Sequence, residues 1–304
     1  GKVVLSTNDA PFMSVPLVQE FGADGFLTIT DSRLTGLGDV IRGVAGAFYK
    51  YTSDAEEMVH QPDEFVVDTI GAQLPMSEGH KLLSLMSEKK VHVRIKNDAN
   101  YSLGRTSNII GRVEGSTLPE EEIVIGAHYD TEFLSPGVWD NGTGSASVLE
   151  LARTIGEVSS RPSRTFNFIL FGCEENGCWG SVNYVQDHKN ELSENCLGMI
   201  NLDSVGSKVT TKNTAWASES ISDFIVETSE MVEWNIDDLS GVDVTFSDYA
   251  PFRDINIPNA WLGDWAHLHP YYHHPKDRIE YIDINKLHKI ATVAELCGIR
   301  LANK

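Results

Sequence analysis

The sequence predicts an α/β protein: a mainly parallel sheet covered by helices, with a smaller α/β unit ahead of it. Three observations predict this. The 304 residues exceed what one core usually organises, so a large unit plus a smaller one is expected. Past residue 97, strand-sized apolar runs alternate with segments of helical periodicity, the pattern of parallel strands joined by helical crossovers. Four of those runs also end in His, Asp or Glu, as expected where strands deliver side chains to one edge of a sheet.

Taken in order, residues 2–6, 25–30, 65–70 and 91–95 read as short strands separated by helical and polar segments. The polar stretch 97–101 precedes a strand at 107–113, so the boundary is expected near residue 97, dividing the chain into 1–97 and 98–304. Beyond it, 123–127 reads as a strand, 144–158 as a helix, 165–171 as a strand and 177–189 as a helix. Strands at 198–202 and 259–262 and helices at 218–234 and 284–301 complete the series. There is no internal repeat and no low-complexity segment.

Composition limits function. Hydrophobic residues make up 41% and charged residues 22%, an ordinary folded balance. The formal charge of −20 argues against a nucleic-acid partner, which needs clustered Lys and Arg to displace counterions. No apolar run approaches the ~20 residues of a membrane span. The chain opens on Gly1-Lys2-Val3-Val4-Leu5 without a basic and apolar leader, so any signal peptide is expected to be already removed or never present. Four cysteines, Cys173, Cys178, Cys196 and Cys297, lack the spacing of a zinc ribbon or a disulfide scaffold. Cys173 and Cys178 flank the Glu174-Glu175 pair, leaving a functional role open beside plain packing.

The chemistry sits at the strand ends. Residues 123–127 run into His128-Tyr129-Asp130, 166–171 into Glu174-Glu175, 199–202 into Asp203, and 260–262 through a loop to His273. Imidazole and carboxylate donors without thiolates suit a catalytic metal left partly open. Two histidines with several carboxylates exceed the needs of one metal. Two metals roughly 3.5 to 4 Å apart can share a carboxylate and a water and act together on a carbonyl.

Five motifs carry a resemblance: Gly126-Ala127-His128-Tyr129-Asp130-Thr131, Asp140-Asn141-Gly142-Thr143-Gly144, Glu174-Glu175-Asn176-Gly177 with Gly180-Ser181, Asn201-Leu202-Asp203-Ser204-Val205-Gly206, and Tyr272-His273-His274-Pro275-Lys276-Asp277. In this order the chain resembles the di-zinc exopeptidases that include bacterial secreted leucyl aminopeptidases, plasma glutamate carboxypeptidase and glutamate carboxypeptidase II. The resemblance implies a zinc-exopeptidase fold with two zinc ions, a peptide substrate and an extracellular or cell-envelope (secreted) location. His128 and Asp203 would hold one ion, Glu175 and His273 the other, with Asp140 bridging. Asp130 would orient the His128 ring. Glu174 would be the base that deprotonates the bridging water and later protonates the leaving amine. Tyr272 matches a tyrosine that in some members donates to the developing oxyanion. Register against Asp277 selects His273, with His274 as the alternative.

Residues 1–97 resemble the protease-associated domain found in many of these enzymes, through Gly1-Lys2-Val3-Val4-Leu5, Gly22-Ala23-Asp24-Gly25 and the stretch from Leu74-Pro75 to Leu82-Leu83. An aminopeptidase is the expected activity. A carboxypeptidase or dipeptidase would pair a substrate carboxylate with Arg or Lys, and Arg253 and Arg278 are the visible candidates. A receptor-like scaffold would have lost metal-binding residues, and a glutaminyl cyclase-like enzyme would use one zinc. His60, His80, His92, His188 and His288 have no partner motifs and read as surface or core residues. Trp139, Trp179, Phe246, Tyr249, Phe252 and Trp265 could line an apolar pocket or pack in the core. The Asp140–Asn141 peptide is a candidate for a strained bond that aims the bridging carboxylate.

Overall fold

The computed structural model describes residues 1–7, 18, 21–30, 42–44, 70–96, 104–133, 135–242, 247–264 and 269–303. Two sheets are present among them. The smaller has the order β1-β2-β4-β3, built from β1 (Val3–Ser6), β2 (Gly25–Thr30), β3 (Arg42–Val44) and β4 (Ile70–Pro75). Its first three neighbours run parallel and β3 is antiparallel to β4. Helix α1 (Met76–Glu88) follows β4 directly.

The larger sheet collects β5 (Ile109–Val113), β6 (Leu118–His128), β7 (Arg164–Phe171), β8 (Cys196–Leu202), β9 (Asn213–Ala217), β10 (Asp238–Ser240) and β11 (Asn259–Asp264) in the order β10-β9-β11-β8-β6-β7-β5. β6, β7, β8 and β11 are mutually parallel, while β5 pairs antiparallel with β7 and β9 antiparallel with β11. Helices α2 (Thr143–Glu157), α3 (Trp179–Asp187), α4 (Lys189–Asn195), α5 (Glu219–Met231), α6 (Ala250–Asp254) and α7 (Ile284–Ala302) cover it.

The period-2 pattern of β6 explains why both faces need helices. Ile123, Ile125 and Ala127 point into one cluster with Val148, Leu151 and Ile155 of α2 and Ile290, Val293 and Leu301 of α7. Val124 points the other way, into a cluster with Tyr184 and Val185 of α3, Leu192 of α4 and Phe252 of α6. All three isoleucine or valine positions 123–125 are fully buried, as expected for a parallel strand with no solvated face. Each such side chain contributes about 1.5–3 kcal/mol relative to exposure. Helix α7 starts where Asp283 caps it, accepting from the amides of Asn285 at 2.9 Å and Lys286 at 3.1 Å.

Some expectations change. Residues 91–95 are not a strand: they run outside both sheets. The helix expected over 177–189 begins only at Trp179, because Gly177 and Cys178 have φ of 119° and 57°, outside the helical region, and it ends at Asp187, where His188 at φ −110° separates it from α4. β9 was not expected, since Asn213-Thr214-Ala215-Trp216-Ala217 shows no alternation strong enough to stand apart; its pairing with β11 makes it a strand. Of the strand expected over 65–70 only Ile70 is described, and the boundary at 97 falls outside the described residues.

Candidate metal centre

Strand order brings the site together. β6 lies between β7 and β8, with β11 beyond β8, so their carboxyl ends open onto one crevice at the point where the chain reverses its direction of travel across the sheet. His128 is the last residue of β6; Glu174 and Glu175 follow β7, Asp203 follows β8, and His273 comes after β11.

Asp140 sits at the middle. Its Oδ1 is 3.3 Å from Nε2 of His128 and its Oδ2 is 3.1 Å from Nε2 of His273. His128 Nε2 also lies 3.3 Å from Asp203 Oδ1 and 4.0 Å from Glu174 Oε2. His273 Nε2 lies 3.0 Å from Glu175 Oε2. His274 turns away, its Nδ1 accepting from the amide of Lys276 at 2.9 Å. Two sets of donor atoms come within 4.8 Å of one another, His128 with Asp140 and Glu175, and Glu132 with Glu175 and His273. Asp203 is in neither set. Its oxygens are held by the hydroxyls of Ser247 at 2.6 Å and Ser204 at 3.1 Å.

The backbone around Asp140 is clamped by Asp277 and by Asn141. The carboxylate of Asp277 accepts from the amide of Trp139 at 2.9 Å and of Asp140 at 3.2 Å. Asn141 donates to the Leu202 carbonyl at 3.0 Å and accepts on Oδ1 from the amides of Gly144 and Ser204 at 3.0 and 3.2 Å. That ties this loop to the end of β8 beside Asp203. Gly144 permits the approach, because a Cβ there would stand 2.3 Å from Asn141 Oδ1 and 2.4 Å from the Leu202 carbonyl. The Asp140–Asn141 peptide is cis.

Asp130 faces both the His128 ring and the paired glutamates. Its carboxylate accepts from the amides of Glu174 at 3.0 Å and Glu175 at 3.2 Å, so it sets the turn that presents the paired glutamates. The His128 ring faces Asp130 through Nδ1, closest to the main-chain carbonyl at 3.0 Å, with the carboxylate at 3.8 Å. A carbonyl so placed accepts the Nδ1 proton and leaves the Nε2 lone pair free for a metal. Glu174 Oε1 accepts from the thiol of Cys178 at 3.6 Å, and Tyr272 stacks on His273 with ring centroids 3.7 Å apart.

The electrostatics follow from burial of like charges. Burial lowers the pKa of His128 and His273, but the surrounding carboxylates, Glu174 and Asp203 for the first and Glu175 and Asp140 for the second, outweigh it and raise both well above the usual range. Burial, reinforced by Asp140, lifts Glu175 to about 7 despite His273. Burial lifts Glu174 well above its ordinary value, with His128 opposing and Asp203 adding. Asp140 goes the other way: burial opposes its ionisation, yet hydrogen bonds from both histidines win and lower its pKa. Burial also lifts Tyr272 far above 10, so its hydroxyl stays a donor. Protons on two imidazoles and on carboxylates occupy places where a cation would relieve the same repulsion. The donors are imidazole and carboxylate alone, a set that fits divalent metal left open for catalysis.

A model of peptidase family M28 matches residues 108–297. The chain belongs to peptidase family M28. Aminopeptidase YwaD of Bacillus subtilis is 33% identical over 216 residues, 67% of this chain and 46% of that protein. Human Carboxypeptidase Q is 24% identical over 302 residues, 96% of this chain and 61% of that protein. The chain thus spans about half of these curated relatives. A solved zinc aminopeptidase from Bacillus subtilis, BSAP, superposes with a TM-score of 0.71 at 21% identity, covering all of this chain and 70% of that one. That likeness supports a mainly parallel, helix-covered α/β fold of the M28 type.

Within this M28 chain, several groups escaped sequence reasoning. Asp277 served only to set register, although Asp140 hangs from it. Glu132, 8% exposed, and His269, fully buried, were not singled out. His269 stacks on Trp139 with centroids 4.1 Å apart; burial lowers its pKa to about 4, and its Nε2 has no partner among the described residues. The one signal for His269 was its closeness to His273 in sequence. Tyr249 and Phe252 belong to the second core cluster, and Trp139 is buried against His269. Phe246, Trp265, His267 and His60 lie outside the described residues, while His80, His92, His188 and His288 are exposed. All four cysteines are free.

Proposed function

We propose that this chain is a zinc-dependent exopeptidase that removes amino-terminal residues from peptides. The observation that carries it is Asp140, whose two oxygens each face a different imidazole, Nε2 of His128 at 3.3 Å and Nε2 of His273 at 3.1 Å, within a chain of family M28. In this reading His128, Asp203 and Asp140 would hold one zinc ion, and Glu175, His273 and Asp140 would hold a second. Zinc at these positions would supply Lewis acidity toward a peptide carbonyl and toward water.

The protein's own groups do the rest. Glu174 takes a proton from the attacking water and returns it to the leaving amine; burial, which raises its pKa, makes it a stronger base than a free carboxylate. Its Oε2 is the oxygen nearer His128, while Oε1 is held by Cys178. Tyr272 offers its hydroxyl to the oxygen that gains charge. Asp130 keeps Glu174 and Glu175 in register through their amides.

A free amino terminus suits this pocket better than a free carboxyl end. The charges that act most on Glu174 and Glu175 are carboxylates and histidines. Among the cations considered, Arg253 is engaged by Asp254 at 2.9 Å and the Val242 carbonyl at 2.8 Å, and Arg278 is exposed. Carboxypeptidase action is the second reading, favoured by the likeness to Carboxypeptidase Q over 96% of the chain. Residues 1–97 are assigned as a protease-associated-like unit, supported by a sheet drawn wholly from residues 3–75, and a secreted location goes with the family resemblance.

The test is hydrolysis of Leu-p-nitroanilide beside an N-blocked dipeptide with a free carboxyl end, each with chelator and with restored zinc. Chelator-sensitive release from the free-amine substrate alone is the expected result. Cleavage of the blocked dipeptide alone would replace the aminopeptidase reading with the carboxypeptidase one.

A further inference from the structure

Glu132 belongs to no motif, yet it points into the centre. The turn after β6 is closed by the Ser135 amide on the Glu132 carbonyl at 2.8 Å and by the Thr131 hydroxyl on the Ser135 carbonyl at 3.2 Å. At this turn Phe133 is 90% exposed while Glu132 is 8% exposed. The amide of Glu132 donates to Oε1 of Glu175 at 2.8 Å, and Oε2 of Glu175 faces His273 Nε2 at 3.0 Å. A carboxylate oxygen of Glu132 lies within 4.8 Å of donor atoms of both Glu175 and His273.

We infer that Glu132 is an additional ligand of the metal held by Glu175 and His273, so that the two metal positions are chemically unequal. This rests on the two-metal reading above. Donors bound to one zinc at about 2.0–2.2 Å stand no more than about 4.4 Å apart, so the three groups need only a small inward movement to share an ion. The His273 side then has Glu132, Glu175, His273 and Asp140, an anion-rich and nearly closed set. The His128 side has His128, Asp203 and Asp140, and Asp203 there is already shared with two serine hydroxyls. The first position therefore loads tightly, and the second keeps an open place for water and substrate.

The test is zinc titration of the metal-free protein against a chromogenic chelator, in wild type, Glu132→Gln and Glu132→Asp, with far-UV circular dichroism of each metal-free form. Wild type should bind two equivalents of unequal affinity. Glu132→Gln should weaken the tighter equivalent by on the order of 10- to 100-fold, at least the loss typical of an outer partner of a ligand. It should leave the weaker equivalent and the dichroism unchanged, with Glu132→Asp in between. The visible spectrum of one bound cobalt equivalent should also change between wild type and Glu132→Gln. Two equivalents of wild-type affinity in Glu132→Gln, or equal loss of both, would overturn the assignment while leaving the metallopeptidase reading intact. A wild-type chain that binds no zinc would overturn both.

Discussion

In the proposed mechanism Glu174 and Glu175, neighbours in sequence, have divided tasks, and single substitutions should separate them. Glu174→Gln removes the proton acceptor but no proposed ligand, so kcat should fall by about 10²–10⁴ while zinc content holds; metal analysis beside steady-state kinetics checks this. Glu175→Ala should lose metal as well. Asp277 offers a second test. Its carboxylate takes the amides of Trp139 and Asp140 in a buried setting, and each amide left unpaired costs about 1–3 kcal/mol. Asp277→Ala should therefore lower the thermal midpoint and weaken zinc binding together, and Asp277→Asn, which keeps one acceptor oxygen, should lose less of both. A midpoint that falls with zinc affinity unchanged would show that the Asp140 loop does not depend on this clamp.

Elements carry these side chains, and the joint between α2 and β8 is a close one. Gly144 opens α2 where a Cβ would meet the Leu202 carbonyl at 2.4 Å, one residue before Asp203. Gly144→Ala should force the helix start away from β8 at a cost of about 1–3 kcal/mol, seen as a lower denaturant midpoint in chemical unfolding. The same shift would move Asn141, whose Oδ1 takes the amides of Gly144 and Ser204, so zinc affinity should drop with stability. Much of this level was legible beforehand. The strands at 25–30, 123–127, 165–171 and 198–202 and the long closing helix announce themselves through apolar runs and helical spacing. The β9 strand and the late start of α3 did not, because one depends on a partner across the sheet and the other on two residues with positive φ.

For the whole molecule, the concentrated carboxylates make metal and proton rivals. In the metal-free protein, Glu175 has a folded pKa of about 7 against 4.5 unfolded, so the folded state holds more protons between those values. Asp248 behaves alike: burial lifts it to about 7 from 3.8, against His128 and Ser181. Both histidines are raised above 6.5, which continues the same trend on the alkaline side. Each contribution is complete below the unfolded pKa and lost as pH rises through the folded one, so metal-free stability should decline from about pH 4.5 through neutrality and beyond. Asp140, lowered, acts oppositely only below its unfolded 3.8. Thermal unfolding of chelated protein across this range should show a falling midpoint, and added zinc should restore it most at the alkaline end. A midpoint rising with pH after chelation would contradict these assignments.

What the sequence by itself determined is the set of residue types and their local settings: the apolar runs that become β6, β7 and β8, the motifs ending in His128, Glu174-Glu175, Asp203 and His273, and the family those motifs imply. Such features are short-range, since a strand signals its own period and a motif its own spacing. The tertiary structure decided how the groups paired by that resemblance are physically brought together. That Asp140 stands between the two imidazoles depends on the strand order and on clamps from Asp277 and Asn141 across long stretches of chain. Glu132 is likewise unremarked by any pattern, because an acidic residue in a loop reads as solvated until a turn carries it inward. The division of Asp130, carbonyl to His128 and carboxylate to the glutamate amides, was beyond spacing too: both acceptors belong to one residue, and only the path of the backbone chooses between them.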